Sequence, residues 1–421
     1  MRRTNLRRRD RSARGPGDFS SDPVAPAGDA HLPGLARGTR AAPIARVYDR
    51  LVIGGGVAGV ASALELAASG ARVALVRAGP GATALASGGW SGPLPARLGE
   101  ALAAAGLPHH ACTAPLPHPV GELRAYDFAA PSHLAPVLGD DAVVCGIFGL
   151  PAFHAPALAR LWACGGSLRV TLPGTPAAGW SPVALAASLD RDFTPLLRAL
   201  GDVVRDAAVL ILPPVLGLTS AKVQRALEEE LGVRMVEALG VPPSVPGWRL
   251  DRALLATLEP AGVTRIDGRV VTPDVAGTRV RAVQVEHAGE TRAIAADGFV
   301  LATGRFIGGG VRARSGAAPV PVASGAALRD AELIDPALGC AVWVEHLDQR
   351  FTSVQPLPLT DPVRSAPQPL LDAGVHVDDA GRPLDLHGRV HYDNVFAAGS
   401  VVAGRPAGLG HAAARPAGAA P

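Results

Sequence analysis

The chain of 421 residues is 48% hydrophobic and 18% charged, enough to bury the core of two domains or of one large domain with an insertion. Its formal net charge of +3 is uneven: residues 1–46 hold ten Arg against four Asp, so the remainder is slightly acidic and lacks the basic field of a nucleic-acid binder. Cys112, Cys145, Cys164 and Cys340 form no C-x-x-C pair and no run of 18 apolar residues occurs, which argues against a disulfide framework, a metal site and a transmembrane segment and fits a reducing cytoplasm.

Residues 1–46 are rich in Arg, Pro, Gly and Asp without periodicity and read as a disordered basic tail with no apolar secretory segment. The stretch from Leu51 to Arg77, LVIGGGVAGVASALELAASGARVALVR, then organises the rest. Leu51–Ile53 is a buried strand, Ala58–Ala68 a helix of strong formers, and Ala71–Val76 a second strand. Gly54, Gly56 and Gly59 between them have G-x-G-x-x-G spacing. Their expected tasks are a sharp turn, a close approach of backbone to phosphate, and tight packing of helix on sheet. After the second strand a dinucleotide site usually carries Asp or Glu for a ribose hydroxyl, but here stands Arg77, which accepts no hydrogen bond. That weakens an ordinary NAD site and favours a flavin.

Gly79–Pro95 is a loop of small residues in which Ser87, Gly88 and Gly89 suit contact with a flat ring, followed by a short helix near Ala96–Ala105. Further on, a strand begins at Asp141, Ala155–Trp162 is helical, and Leu168–Leu172 is a strand. Pro182–Leu200 reads as one long helix kinked at Pro195, Ala207–Pro213 as a strand, and Ser220–Leu231 as a serine-capped helix. This alternation predicts a second α/β unit. The turn VPPSVPGWRLDRAL leads into a helix with Arg249 near its start. From Val263 the pattern is β-rich, with segments at 263–266, 270–271, 280–286 and 291–295. Then DGFVLATGRFIGGG gives a buried strand that ends near Thr303 and Gly304. Gly374–Asp379 is a short strand and turn, and Val395–Ala398 a last strand that closes at Gly399 and Ser400.

Three strand ends with small residues, spread over the chain, predict an α/β, Rossmann-like, discontinuous flavin-binding domain with an inserted α/β and β-rich region. Its parts are 47–135, 263–310 and 372–404, interrupted by an inserted α/β region at 136–262 and a cap or insertion at 311–371. Residues 405–421 form an irregular Ala/Pro/Gly end.

Over residues 50–404 the chain resembles the B component of anaerobic glycerol-3-phosphate dehydrogenase, a relative of the fumarate reductase-like flavoproteins. The matching text is VIGGGVAGVASALELAASG, LASGGWSG, VCGIFGL followed by Phe153, LPPVLGL, VPPSVPGWRL, VLATGRFIGGG and DNVFAAGSVVAG. The resemblance implies FMN as cofactor, with FAD as the alternative. It also implies a catalytic flavoprotein subunit and an iron–sulfur membrane-anchoring subunit as partners, and a cytoplasmic location peripheral to the membrane through them. The implied reaction is oxidation of sn-glycerol 3-phosphate to dihydroxyacetone phosphate with transfer of electrons to quinone. The family's Gly-rich turn and helix after the last strand are replaced here by the 405–421 segment. A flavin-free Rossmann-like scaffold and another FAD-dependent oxidoreductase are the alternatives.

The expected cofactor-binding residues are Gly54, Gly56, Gly59, Arg77, Ser87, Gly88, Gly89, Thr303, Gly304, Gly399 and Ser400. Arg249 and Arg305 are candidates for a phosphate-bearing ligand, because a guanidinium suits phosphate. His109, His110, His154, His346, His376 and His391 are each possible bases at a carbinol, but nothing in their spacing selects one. Catalytic residues stay unassigned.

Overall fold

A computed structural model of the chain describes residues 48–134, 138–201, 203–204, 207–315, 318–320, 332–346, 349–351, 373–385 and 387–404. The basic tail, the 405–421 end and much of the 311–371 segment fall outside these residues.

The first unit of structure is β1 (Tyr48–Ile53), α1 (Val57–Ala68) and β2 (Val73–Arg77). All five residues of β2 are buried, which explains its unbroken apolar run up to the arginine. After α2 (Ala96–Ala104) come β3 (Ala142–Ile147), α3 (Ala155–Leu161), β4 (Gly166–Val170), α4 (Pro182–Arg191), α5 (Thr194–Gly201), β5 (Val209–Leu212), α6 (Lys222–Leu231), β6 (Arg234–Glu237) and α7 (Val245–Ala256). The chain then forms β7 (Thr264–Asp267), β8 (Arg269–Ala276), β9 (Arg279–His287), β10 (Glu290–Leu301) and, much later, β11 (Val395–Ala397).

One sheet gathers strands from the whole length in the order β7-β2-β1-β10-β9-β8, with β11 also on β10. β7, β2, β1, β10 and β11 run parallel, whereas β10, β9 and β8 form an antiparallel meander. β10 serves both halves. Its Thr291–Ala295 portion pairs with β9 and its Ala296–Leu301 portion with β1, so the two apolar segments of the sequence are one strand. Asn394 fixes the return of the last segment. Its side chain accepts from Val280 N at 3.0 Å and donates to the carbonyls of Val280 (2.8 Å) and Asp297 (3.0 Å). A buried amide with three partners is satisfied, and it sets the register of β11 against β10.

A second sheet, all parallel, has the order β6-β5-β3-β4. β6 escapes the sequence pattern, because RMVE is short and ends on a charge; the charge is buried in an ion pair described below. The expected long helix at 182–200 is two helices. The chain leaves α4 at extended Asp192 (φ −155°), whose carboxylate accepts from Thr194 N at 2.9 Å and starts α5, with Pro195 accommodated in its first turn. The α6 helix begins at Lys222, and Ser220 Oγ accepts from Lys222 N at 3.3 Å. The β4 strand lies two residues earlier than the pattern predicts.

One face of the first sheet packs Leu51, Val76, Phe299 and Leu301 with Leu338 and Val395; the other packs Val52, Leu75 and Val300 against α1, α2 and α7. Phe299 is fully buried between β1 and β11. Phe299→Ala is expected to lower the unfolding free energy by about 3–5 kcal/mol, measured by urea titration. A loss well under about 1 kcal/mol would show that this strand is not the centre of the core.

Candidate functional site

At the carboxyl end of β1 the backbone turns at Gly54, where φ is +120° and an added Cβ would lie 2.2 Å from the Ala302 carbonyl oxygen. Only glycine fits such a position. Gly59 brings α1 onto this turn: its Cβ would lie 1.8 Å from Gly54 O. Gly56 differs, since its Cβ would meet only Thr83 Oγ1, at 3.2 Å, with open space beyond. The Thr83 hydroxyl also accepts from Val57 N at 3.3 Å. The first N–H groups of a helix have no partner within it, so the α1 N-terminus presents donors and a positive dipole end to that space.

The space is a cavity of about 1120 Å³. Gly54, Gly56, Arg77, Ser87, Gly89, Thr303, Gly304, Gly399 and Ser400 all line it. Residues more than 340 positions apart meet because β1, β10 and β11 end side by side at the same edge of the sheet. Gly59 and Gly88 do not line it. Gly59 packs behind the turn, and Gly88 faces the other way, where a Cβ would meet His133 Nε2 at 2.6 Å. Five polar contributors were not among the expected residues: Thr83, Ser91, Tyr126, Arg269 and Arg312. The Tyr126 hydroxyl lies 3.1 Å from Ser87 Oγ, and its ring packs against Gly89. Thr83 and Ser91 belong to the small-residue loop already singled out. Nothing in the sequence marks Tyr126.

Arg77 is 7% exposed. Its Nη2 donates to Asp251 Oδ2 at 2.7 Å and its Nε to Gly79 O at 3.0 Å, while Nη1 is buried without an acceptor. Thr303 Oγ1 is likewise buried and unpartnered. An unsatisfied buried donor costs about 1–3 kcal/mol, and both orphans lie at this cavity, so a ligand with oxygens is their complement. The glycine cradle, the helix N-terminus and these two groups together fit a phosphate-bearing nucleotide such as a flavin.

The two arginines expected to take phosphate do other work. Arg249, on α7, is buried. It makes a bidentate pair with Glu237 through both terminal nitrogens and donates from Nε to Gly217 O at 2.6 Å. Burial alone would push the Glu237 carboxyl up, but the Arg249 guanidinium overrides this and holds it below its ordinary value. Arg305 turns away from the cavity and donates to the carbonyls of Ser400 (3.1 Å) and Val402 (3.4 Å), which fastens the end of β11.

None of the five candidate histidines whose side chains are described lines the cavity. Burial pushes His109 down to about 4, and its ring stands edge-on to Trp90. His110 is exposed on a short strand and His154 caps α3, accepting from Ala157 N. His376 packs on Trp343 and His391 on Tyr392, while the side chain of His346 lies outside the described residues. Among the described residues no group of three or more His, Cys, Asp or Glu is arranged to hold a metal ion.

Gly56→Val is expected to abolish bound flavin with the fold kept, because the branched side chain fills the space a phosphate needs. Unchanged flavin stoichiometry after purification would reject the cradle. Asp251→Ala leaves a buried guanidinium uncompensated, and a loss of about 3–5 kcal/mol in stability is expected; a melting temperature equal to the parent's would show the pair to be dispensable.

Residues 49–163 match the family model described as FAD dependent oxidoreductase, and residues 185–419 match that of the FAD binding domain. The B component of a probable anaerobic glycerol-3-phosphate dehydrogenase of Halobacterium salinarum is 32% identical over 284 residues, covering 63% of this chain and 61% of that one. The match thus spans about 61% of that relative's length. The B component of the anaerobic glycerol-3-phosphate dehydrogenase of Pectobacterium atrosepticum is 26% identical over 422 residues, covering 85% of this chain and 92% of that one. A flavocytochrome c3 fumarate reductase structure aligns at a TM-score of 0.34 and 14% identity over 88% of this chain and 76% of that one, a likeness too slight to bear on function. Since the second family model alone covers more than half of its residues, this chain belongs to the FAD binding domain family and is a flavoprotein.

Proposed function

We propose that this chain is the flavin-holding B component of an anaerobic glycerol-3-phosphate dehydrogenase complex, in which it relays electrons and does not itself oxidise the substrate. The complex converts sn-glycerol 3-phosphate and quinone to dihydroxyacetone phosphate and quinol. The observation that carries the relay reading is the lining of the cavity. Among its described lining residues there is no carboxylate and no imidazole, only arginines, hydroxyls, apolar side chains and backbone. Oxidising a carbinol requires a positioned base for the hydroxyl proton, and the one such group among the described lining residues is the Tyr126 hydroxyl, which is engaged with Ser87 Oγ at 3.1 Å. The relatives named as B components support the assignment to a multi-subunit enzyme.

A flavin bound there supplies transfer of a hydride or of single electrons. The protein supplies position and electrostatics. Gly56 and the α1 N-terminus hold phosphate, Arg77 and Thr303 donate to ligand oxygens, and Gly399 with Ser400 close the far side at the end of β11. The cavity reaches the end of β2, from Val76 to Gly81, where a dinucleotide places its second ribose. This extent, together with two FAD-type family models, favours FAD over FMN. Arg77 then meets a ribose or phosphate oxygen as a donor, in place of the usual carboxylate acceptor.

The proposed partners are a catalytic flavoprotein subunit and an iron–sulfur subunit that anchors the complex to the membrane and passes electrons to quinone. Among the described residues no helix is long and apolar enough to cross a membrane, so peripheral attachment through a partner is the accompanying proposal.

The test is anaerobic dye reduction by glycerol 3-phosphate, with the chain alone and with both partners, alongside chromatography of the released flavin. Little turnover alone, full turnover in the assembled set, and FAD in the extract are expected. Turnover by the isolated chain near the rate of the complex would overturn the relay reading, and FMN in the extract would overturn the choice of FAD.

A further inference from the structure

A second cavity, of about 540 Å³, opens on the inserted α/β unit and shares no lining residue with the first. Its floor is made by Ile147 at the end of β3, by the loop that follows, and by Leu158 on α3. Its rim is unusual for a soluble surface. Val120, Phe148 and Leu161 stand there 60%, 52% and 63% exposed. They are three of the eight large hydrophobics found exposed among the described residues, and they converge on one groove although the chain brings them from three separate segments. Leu161 is braced from below by the turn at Gly121, where an added Cβ would lie 2.5 Å from Leu161 Cδ1. Single exposed hydrophobics need no explanation, but a contiguous set around a groove marks an interaction site.

The charge at the groove has one sign. Arg169, on β4, lines it and has no hydrogen bond or ion pair among the described residues, and Arg160, next to Leu161, is exposed and also unpaired among them. Among the described residues that line the groove there is no carboxylate. β4 is moreover the outer strand of the second sheet, so its free edge offers main-chain groups beside the same groove.

These features define the occupant. A small ligand would be enclosed by apolar walls, whereas here the apolar side chains project outward around the mouth and are covered only by an opposing surface. An unpaired guanidinium among them calls for a carboxylate. We propose that the groove formed by Val120, Phe148, Leu161 and Arg169 is the docking surface for a partner subunit, engaging a segment that presents apolar side chains together with a carboxylate. This rests on the reading of the chain as one member of a complex. It assigns the contact to the inserted unit and leaves the flavin cavity uncovered by it.

The full chain is titrated with its two proposed partners, and the assembly is followed by size-exclusion chromatography with light scattering. Three variants are compared with the parent: Phe148→Glu with Leu161→Glu, the milder Phe148→Ser, and Arg169→Glu. Each change is at an exposed or rim position, so flavin absorbance and melting temperature are expected to match the parent. The double variant and Arg169→Glu are expected to weaken association at least about tenfold, as loss of hydrophobic and arginine anchors does, with Phe148→Ser intermediate. Parental affinity in the double variant or in Arg169→Glu would overturn the proposal while leaving the reading of the chain as a member of a complex intact. A parent chain that associates with neither partner would overturn both. Loss of self-association, or of sedimentation with anionic vesicles, as the only change in the variants would overturn the proposal in favour of a second copy or a lipid surface.

Discussion

Two buried ion pairs on one helix hold this molecule together around its cavity. On α7, Arg249 reaches Glu237 at the end of β6, and Asp251, two residues later, reaches Arg77 at the end of β2. One helix is thereby clamped to both sheets, with the basic partner on the helix in one pair and off it in the other. Such pairs contribute little net stability compared with apolar residues of the same volume, because desolvation offsets most of the attraction. Their effect is positional. Once both partners are buried, any sliding of α7 leaves a bare charge in a dry interior, and that alternative costs several kcal/mol, about 3–5 for each broken pair.

That fixed helix is what shapes the flavin loop. The α7 cap, Ser244, accepts from Gly247 N and donates to Ala86 O, and Gly240 N donates to Ser87 O at 2.7 Å. Gly247 lies so close to the loop that a Cβ there would be 2.5 Å from Ala84 O. The loop from Ala82 to Ser91 is thus held from behind by α7 and in front by the α1 N-terminus through Thr83. The PPSVPGWRL stretch therefore reaches the cavity wall at Pro242 and otherwise supports the loop from behind, with Arg249 outside the lining.

The chemistry of the cavity follows from which groups the fold leaves unsatisfied. Most buried polar groups here are paired, as native interiors require. The orphans, Arg77 Nη1 and Thr303 Oγ1, are buried donors on two residues that line the glycine-bordered cavity. A site whose described lining offers donors, a helix dipole and no acids stabilises anionic ligands and the negative charge that accumulates on reduction. It holds no carboxylate or imidazole among its described lining residues to remove a proton, which is the physical basis of the proposal that separates electron carriage from substrate oxidation.

The sequence by itself determined the local units. An apolar strand, a glycine turn and an Ala/Leu helix can be read from residues 51–77 because each depends on neighbours a few positions away, and the small residues at 302–304 and 397–400 mark strand ends for the same reason. The loop at 79–91 is legible through its glycines and serines. Only the tertiary structure decided what the charged residues do. Arg77 is 174 positions from Asp251, and no local pattern announces the pair. Arg249 in isolation reads as a phosphate ligand, and becomes structural because β6, itself hidden by its brevity and terminal glutamate, brings Glu237 to it. Gly88 and Gly89 are adjacent in sequence, yet one packs toward His133 and the other lines the cavity, since the chain bends at Gly88, where φ is +108°. Propensity is a property of short segments, whereas ion pairing and cavity lining depend on contacts that exist only after distant segments have packed together.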